Sequence, residues 1–98
     1  MDDLLAMRNE IDDIDDQIVD LYERRMQIAE GVADYKHSAG RPVQDKVREK
    51  EKIEKVTSRA RSEFSRGAVQ SLYGQIMAVT RMVQYQKLSG ERLSLIHI

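Results

Sequence analysis

Five polar residues stand on rows of helical period where apolar ones belong: Arg25, Lys36, Glu49, Thr80 and Gln84. Two are cations, one is an acceptor, and two are neutral hydrogen-bonding groups. A pocket lined this way suits an anion. Other chemistries lack their parts. There is no cysteine, and the two histidines, His37 and His97, have no companion ligands, so thiol chemistry and the usual zinc sets are not expected. The chain also lacks a glycine-rich phosphate loop and a nucleophile, base and acid grouping.

Arg25 sits in the seam Leu4, Met7, Ile11, Ile14, Ile18, Leu21, Arg25, Ile28, Val32, Tyr35, which alternates steps of three and four. A guanidinium buried there without a partner is strongly unfavourable, so something anionic should meet it. Lys36 comes eleven residues later, within about 20° of the Arg25 direction and about 16 Å along the axis. Glu49 continues the stripe Ile53, Val56, Ala60, while Lys46 and Lys50 point elsewhere. Thr80 and Gln84 extend the row of Ile76. Taken singly, each has an ordinary account. Arg25 can snorkel or pair with a glutamate, Lys36 suits a helix C-terminus, Thr80 can bond its own backbone, and Glu49 can form an ion pair. Their convergence from three helices favours a shared anion pocket. Arg8 lies seventeen residues before Arg25, about 25 Å along the helix and about 100° around it. One small ligand cannot touch both in a single chain. Either Arg8 is a surface arginine paired with Asp12, or an antiparallel partner subunit delivers it to the pocket.

The elements that must position these residues are helices. The first is predicted over about 2–37, tolerating Gly31, and is ~50 Å long. Pro42 ends it, and Asp45 is placed to cap a second helix, with the span predicted as about 45–61. A third is predicted over about 67–88, with Val69, Tyr73, Ile76, Thr80 and Val83 as its stripe. The cluster SRARSEFSR, Ser58 to Arg66, reads as a solvated helix end and loop. No strand-like alternation is present, so the class is all-α. The first helix is too long for two short ones to cover, and with 98 residues, 41% hydrophobic and 5% aromatic, the core is thin. A second copy lying along the seam is the simplest cover, giving an intertwined homodimer. Sixteen Lys+Arg against 17 Asp+Glu, a net charge of -1, give no reason to expect nucleic acid or an anionic membrane. The acidic start MDDLLAMRNE and the lack of a long apolar run point to a cytoplasmic protein without a membrane span.

The segments RNEIDDIDDQIVDLYERRMQIAEGVADYK, GRPVQDKVREKEKIEKV and QIMAVTRMVQYQ together resemble the all-helical chorismate mutase family, over about Asp3 to Leu88. The most specific part is the IDxID-type first helix combined with PVxDxxREKE. The resemblance implies an intertwined dimer with two equivalent sites, each receiving one arginine from the other chain. It implies that Arg25 and the partner's Arg8 bind the two carboxylates of chorismate. Lys36 and Gln84 would donate to the ether oxygen from opposite sides. Arg48 and Glu49 would line the site, Glu49 accepting from the ring hydroxyl, with help from the Asp45 backbone. Thr80 falls where family members often have serine, and its hydroxyl would meet a carboxylate. The implied reaction, chorismate to prephenate, is a unimolecular rearrangement needing no metal or cofactor. Two other functions fit parts of the pattern: an isochorismate-pyruvate lyase, and a helical dimerisation module whose inward charges form interchain ion pairs.

The final LSLIHI breaks the polar character of KLSGER and matches an in-frame translation of a common sequencing adapter. A domain over 1–90 and a non-native tail over 93–98 are therefore expected. The ending QIMAVTRMVQYQKL is similar to mutase domains that head bifunctional chorismate mutase and prephenate dehydratase chains, so a second enzyme domain is expected to follow in the natural gene.

Overall fold

The computed structural model describes residues 2–96, with side chains described as far as residue 90. Three helices follow in order, α1 (Asp2–Ser38), α2 (Lys46–Thr57) and α3 (Glu63–Ile96), and no strand occurs among the described residues. The chain is all-α, as its periodicity predicts. No helix among the described residues is long and apolar enough to cross a membrane.

Local chemistry explains the helix ends. α1 opens with Asp2 and Asp3 and closes with Lys36 and His37, charges that complement the helix dipole. At its end the Arg41 amide donates to the Lys36 carbonyl (2.8 Å) and the Gly40 amide to the His37 carbonyl (3.1 Å). This double closure needs a left-handed residue, and Gly40 supplies it at φ 68°. Asp45, in extended backbone, accepts the Arg48 amide at 3.0 Å and starts α2.

Two boundaries differ from the sequence expectation. α2 stops at Thr57, short of Arg61, because its last turn tightens: Arg59 and Ala60 donate to the carbonyls of Val56 and Thr57 at 3.1 Å each. α3 begins at Glu63, ahead of Gly67, because Ser62 caps it. The Ser62 hydroxyl accepts the Ser65 amide at 3.1 Å, and its carbonyl accepts the Arg66 amide at 2.9 Å. The stretch read as a solvated loop therefore hides a helix start. α3 also runs past Leu88 to Ile96, since Gly90 costs only about 1 kcal/mol against alanine. The expectation of a non-native tail over 93–98 concerns side chains that lie outside the described residues.

α3 is the common partner: its backbone packs against both α1 and α2, whose own backbones stay apart. The buried apolar residues are Met26 (5% exposed), Ala29 (7%), Ala33 (0%) and Met77 (6%). The face of α1 that meets α3 is therefore Met26, Ala29 and Ala33, beside the expected seam rather than on it. Short alanines let the two helices approach closely. Of the seam itself, only Arg25 is half-buried, and every residue from Asp2 to Arg24 is exposed. The particle is correspondingly elongated, 61 × 31 × 15 Å. On α3 the predicted stripe of Val69, Tyr73, Ile76, Thr80 and Val83 is half-buried throughout.

Candidate active site

A cavity of about 340 Å³ opens between the C-terminal half of α1, the 39–45 turn, α2 and the middle of α3. α1 contributes Arg25 and Lys36 with the apolar Ile28, Ala29 and Val32. The turn and α2 contribute Val43, Asp45, Arg48, Glu49 and Lys52, and α3 contributes Met77, Thr80, Arg81 and Gln84. The structure thus brings Arg25, Lys36, Asp45, Arg48, Glu49, Thr80 and Gln84 to one cavity. Arg8 is not among them: it is exposed on the uncovered half of α1.

Arg25, Lys36, Thr80 and Gln84 are each held by an identifiable partner. Arg25 Nη1 donates to Thr80 Oγ1 at 2.7 Å, and the same hydroxyl donates to the Ile76 carbonyl at 2.6 Å. Thr80 spends its proton on its own helix and its lone pair on Arg25, so it orients the guanidinium. Meeting a carboxylate as donor would require the hydroxyl to rotate away from Ile76. Lys36 Nζ donates to the Val43 carbonyl at 3.1 Å, pinning the turn after α1 to the cavity. Gln84, 7% exposed, donates through Nε2 to the Ala29 carbonyl at 3.0 Å. Lys36 retains two unused N–H bonds and Gln84 one.

Glu49 forms an ion pair with Arg81, linking α2 to α3 across the cavity wall. Both side chains are partly shielded, at 23% and 32% exposed. Arg81 engages Oε1, which leaves Oε2 to accept from a ligand. Asp45 lines the rim, with its carboxylate committed to the Arg48 amide. Burial, and then the positive charges of Arg48, Lys55, Arg25 and Arg59, hold the Lys52 ammonium below the usual lysine range.

Sequence reading passed over Arg81 and Lys52. Lys52 carried a faint signal, because it stands one turn beyond Arg48 on α2. Arg81 carried none, because it lies one residue beyond the row of Ile76 and Thr80. Only the packing of α3 on α2 brings it to Glu49.

The lining is cationic in excess, with five basic residues against Asp45 and Glu49. Aliphatic side chains make up part of the lining, so it suits a compact polyanion with a carbon framework. Comparison with curated proteins and with solved structures found no match. A model of the family described as chorismate mutase type II matches residues 7–85, a span that includes every residue of the cavity and Arg8 as well. The chain belongs to the chorismate mutase type II family, the isomerases that convert chorismate to prephenate.

Proposed function

We infer that the cavity between the three helices is where chorismate rearranges, in a homodimer in which each cavity is completed by Arg8 of the partner subunit. The observation that carries this reading is the gathering, in one chain, of Arg25, Lys36, Asp45, Arg48, Glu49, Thr80 and Gln84 around a cavity of about 340 Å³. Arg8 stands on an exposed helix face beside Leu4, Leu5, Met7 and Ile11, each at least half exposed. A second copy running antiparallel along α1 covers that face and carries its own Arg8 toward the cavity.

The reaction breaks one C–O bond and forms one C–C bond in a single intramolecular step, with no proton or group passed to the protein. What the site must do is hold the flexible dianion in its reactive chair-like form and stabilise negative charge growing on the ether oxygen. Arg25, steadied by Thr80, takes one carboxylate, and Arg8 from the second copy takes the other. Lys36 and Gln84 aim their spare N–H bonds at the ether oxygen from the α1 and α3 walls. Each is anchored by a backbone carbonyl beforehand, so little reorganisation is needed when the charge appears. Glu49, held by Arg81, accepts from the ring hydroxyl. The cytoplasmic setting expected from the composition is part of the same proposal.

The test follows chorismate by its ultraviolet absorbance with the purified chain beside an Arg25→Ala variant, both checked for helical circular dichroism. Rapid loss with prephenate as product, abolished in Arg25→Ala, is expected. Equal turnover in both would remove the cavity from the reaction. Salicylate and pyruvate formed from isochorismate would move the cavity to the lyase reaction.

A further inference from the structure

The cations of the cavity are not equally provided for. Arg25 donates to Thr80, Lys36 donates to the Val43 carbonyl, and Arg81 is paired with Glu49. The side chains of Arg48 and Lys52 make no hydrogen bond or ion pair among the described residues. They stand at positions i and i+4 of α2, and both line the cavity. Like charges one helical turn apart repel and weaken the helix that carries them. Neither nearby carboxylate relieves them, because Glu49 is taken by Arg81 and Asp45 accepts the Arg48 amide.

We propose that Lys52 is a substrate-binding residue, which together with Arg48 holds a carboxylate of chorismate against the α2 wall, facing Arg25 across the cavity. The proposal rests on the reading that chorismate occupies this cavity. Half-burial of Lys52 strengthens its contact with an anion, because less water screens the pair. The lowered pKa of Lys52 has the same origin, in burial and then in the neighbouring cations.

A pH signature follows. The charged groups around Lys52 are Arg25 and Lys36 from α1, Arg48, Glu49 and Lys55 from α2, Arg59 beyond α2, and Arg81 from α3. In the free enzyme Lys52 sheds its proton at lower pH than an ordinary lysine, and only the protonated form attracts the dianion. KM therefore rises as pH climbs through that range. Arginine at this position does not titrate there and flattens the rise.

The experiment measures kcat and KM for the wild type, Lys52→Met, Lys52→Arg and Arg25→Ala from about pH 7 to about pH 10, with circular dichroism confirming each fold. Lys52→Met is expected to raise KM about tenfold at neutral pH with kcat nearly unchanged, the mark of uniform binding. Lys52→Arg should keep the wild-type KM and lose most of its alkaline rise. A wild-type KM in Lys52→Met, or an equal rise in the Met and Arg variants, overturns the proposal. If Lys52→Met loses its helical signal, Lys52→Gln replaces it under the same criteria. Arg25→Ala separates the two levels of the reading. Collapse there beside a wild-type KM in Lys52→Met removes Lys52 alone, whereas wild-type kinetics in Arg25→Ala removes the cavity assignment itself.

Discussion

The two ends of α1 are built to opposite specifications. From Asp2 to Arg24 every residue is exposed, and large aliphatics recur along one row: Leu4, Ile11, Ile14, Ile18 and Leu21. From Arg25 to Lys36 the helix is packed, but with Met26, Ala29 and Ala33 as its buried residues and two cations aimed into a cavity. The first region has an exposed apolar row and, apart from Arg8, none of the residues proposed for the site. The second has a site and almost no apolar mass. Four small or flexible hydrophobic residues make up the buried core of the described chain, too little to offset the entropy of ordering a chain of this length. An exposed aliphatic row of that length is the surface along which the proposed second copy would lie.

Variants in each region test this division. The largest effect is expected from Lys36→Met, which removes the donor we propose for the ether oxygen: kcat should fall about 10²- to 10³-fold, as for loss of one oxyanion donor. Sedimentation should show its association state unchanged. Next is Ile14→Asp, far from the cavity. In the proposed dimer, a carboxylate placed in this row is expected to cost about 3 kcal/mol of dimer stability, read by sedimentation equilibrium, and activity should be lost along with the dimer. An active, monomeric Ile14→Asp would show that the second region stands alone.

Gln84→Glu tests the cavity from the α3 side. Glutamine is neutral at every pH, so wild-type kcat should stay flat across mildly acidic to mildly basic conditions. A glutamate donates only when protonated, and burial at this position raises its pKa above the ordinary value, so the variant should lose turnover as pH rises through that raised pKa. A flat profile in Gln84→Glu would remove the donor role. Ala33→Leu should then cost about 1–3 kcal/mol in thermal unfolding, because there is no room between α1 and α3 for the added carbons. The smallest effect belongs to Asp45→Ala. Losing the cap of α2 should cost about 1 kcal/mol and raise KM slightly, since Arg48 and Glu49 ride on the first turn of that helix.

How far sequence reaches differs between ends, faces and contacts. Gly40, Pro42 and Asp45 mark the turn after α1 by their own backbone chemistry: the structure uses Asp45 as the expected cap and Gly40 as the left-handed residue that closes α1. Ser62 marks the start of α3 just as locally, yet it is hidden among Ser58, Ser65 and three arginines that look like a loop. The packed face of α1 was harder to see. Ala29 and Ala33 carry little hydropathy, so the louder isoleucine row beside them drew the seam, although small residues are what close helix packing selects. At the site, Glu49 was visible as a polar residue on a buried stripe. Its partner Arg81 was not, because nothing in one helix reports which residue of another will meet it.

By itself the sequence determined that the chain is three helices, where the long one ends, and which rows carry misplaced polar residues. Those properties follow from periodicity and from capping, interactions that span a few residues. The tertiary structure alone decided that α3, not α2, is the neighbour of α1, that Thr80 steadies Arg25, and that Arg81 neutralises Glu49 while Lys52 is left facing the cavity. The rotation of one helix against another depends on how side chains from distant segments fit together, and a hydrophobic period is silent about that angle.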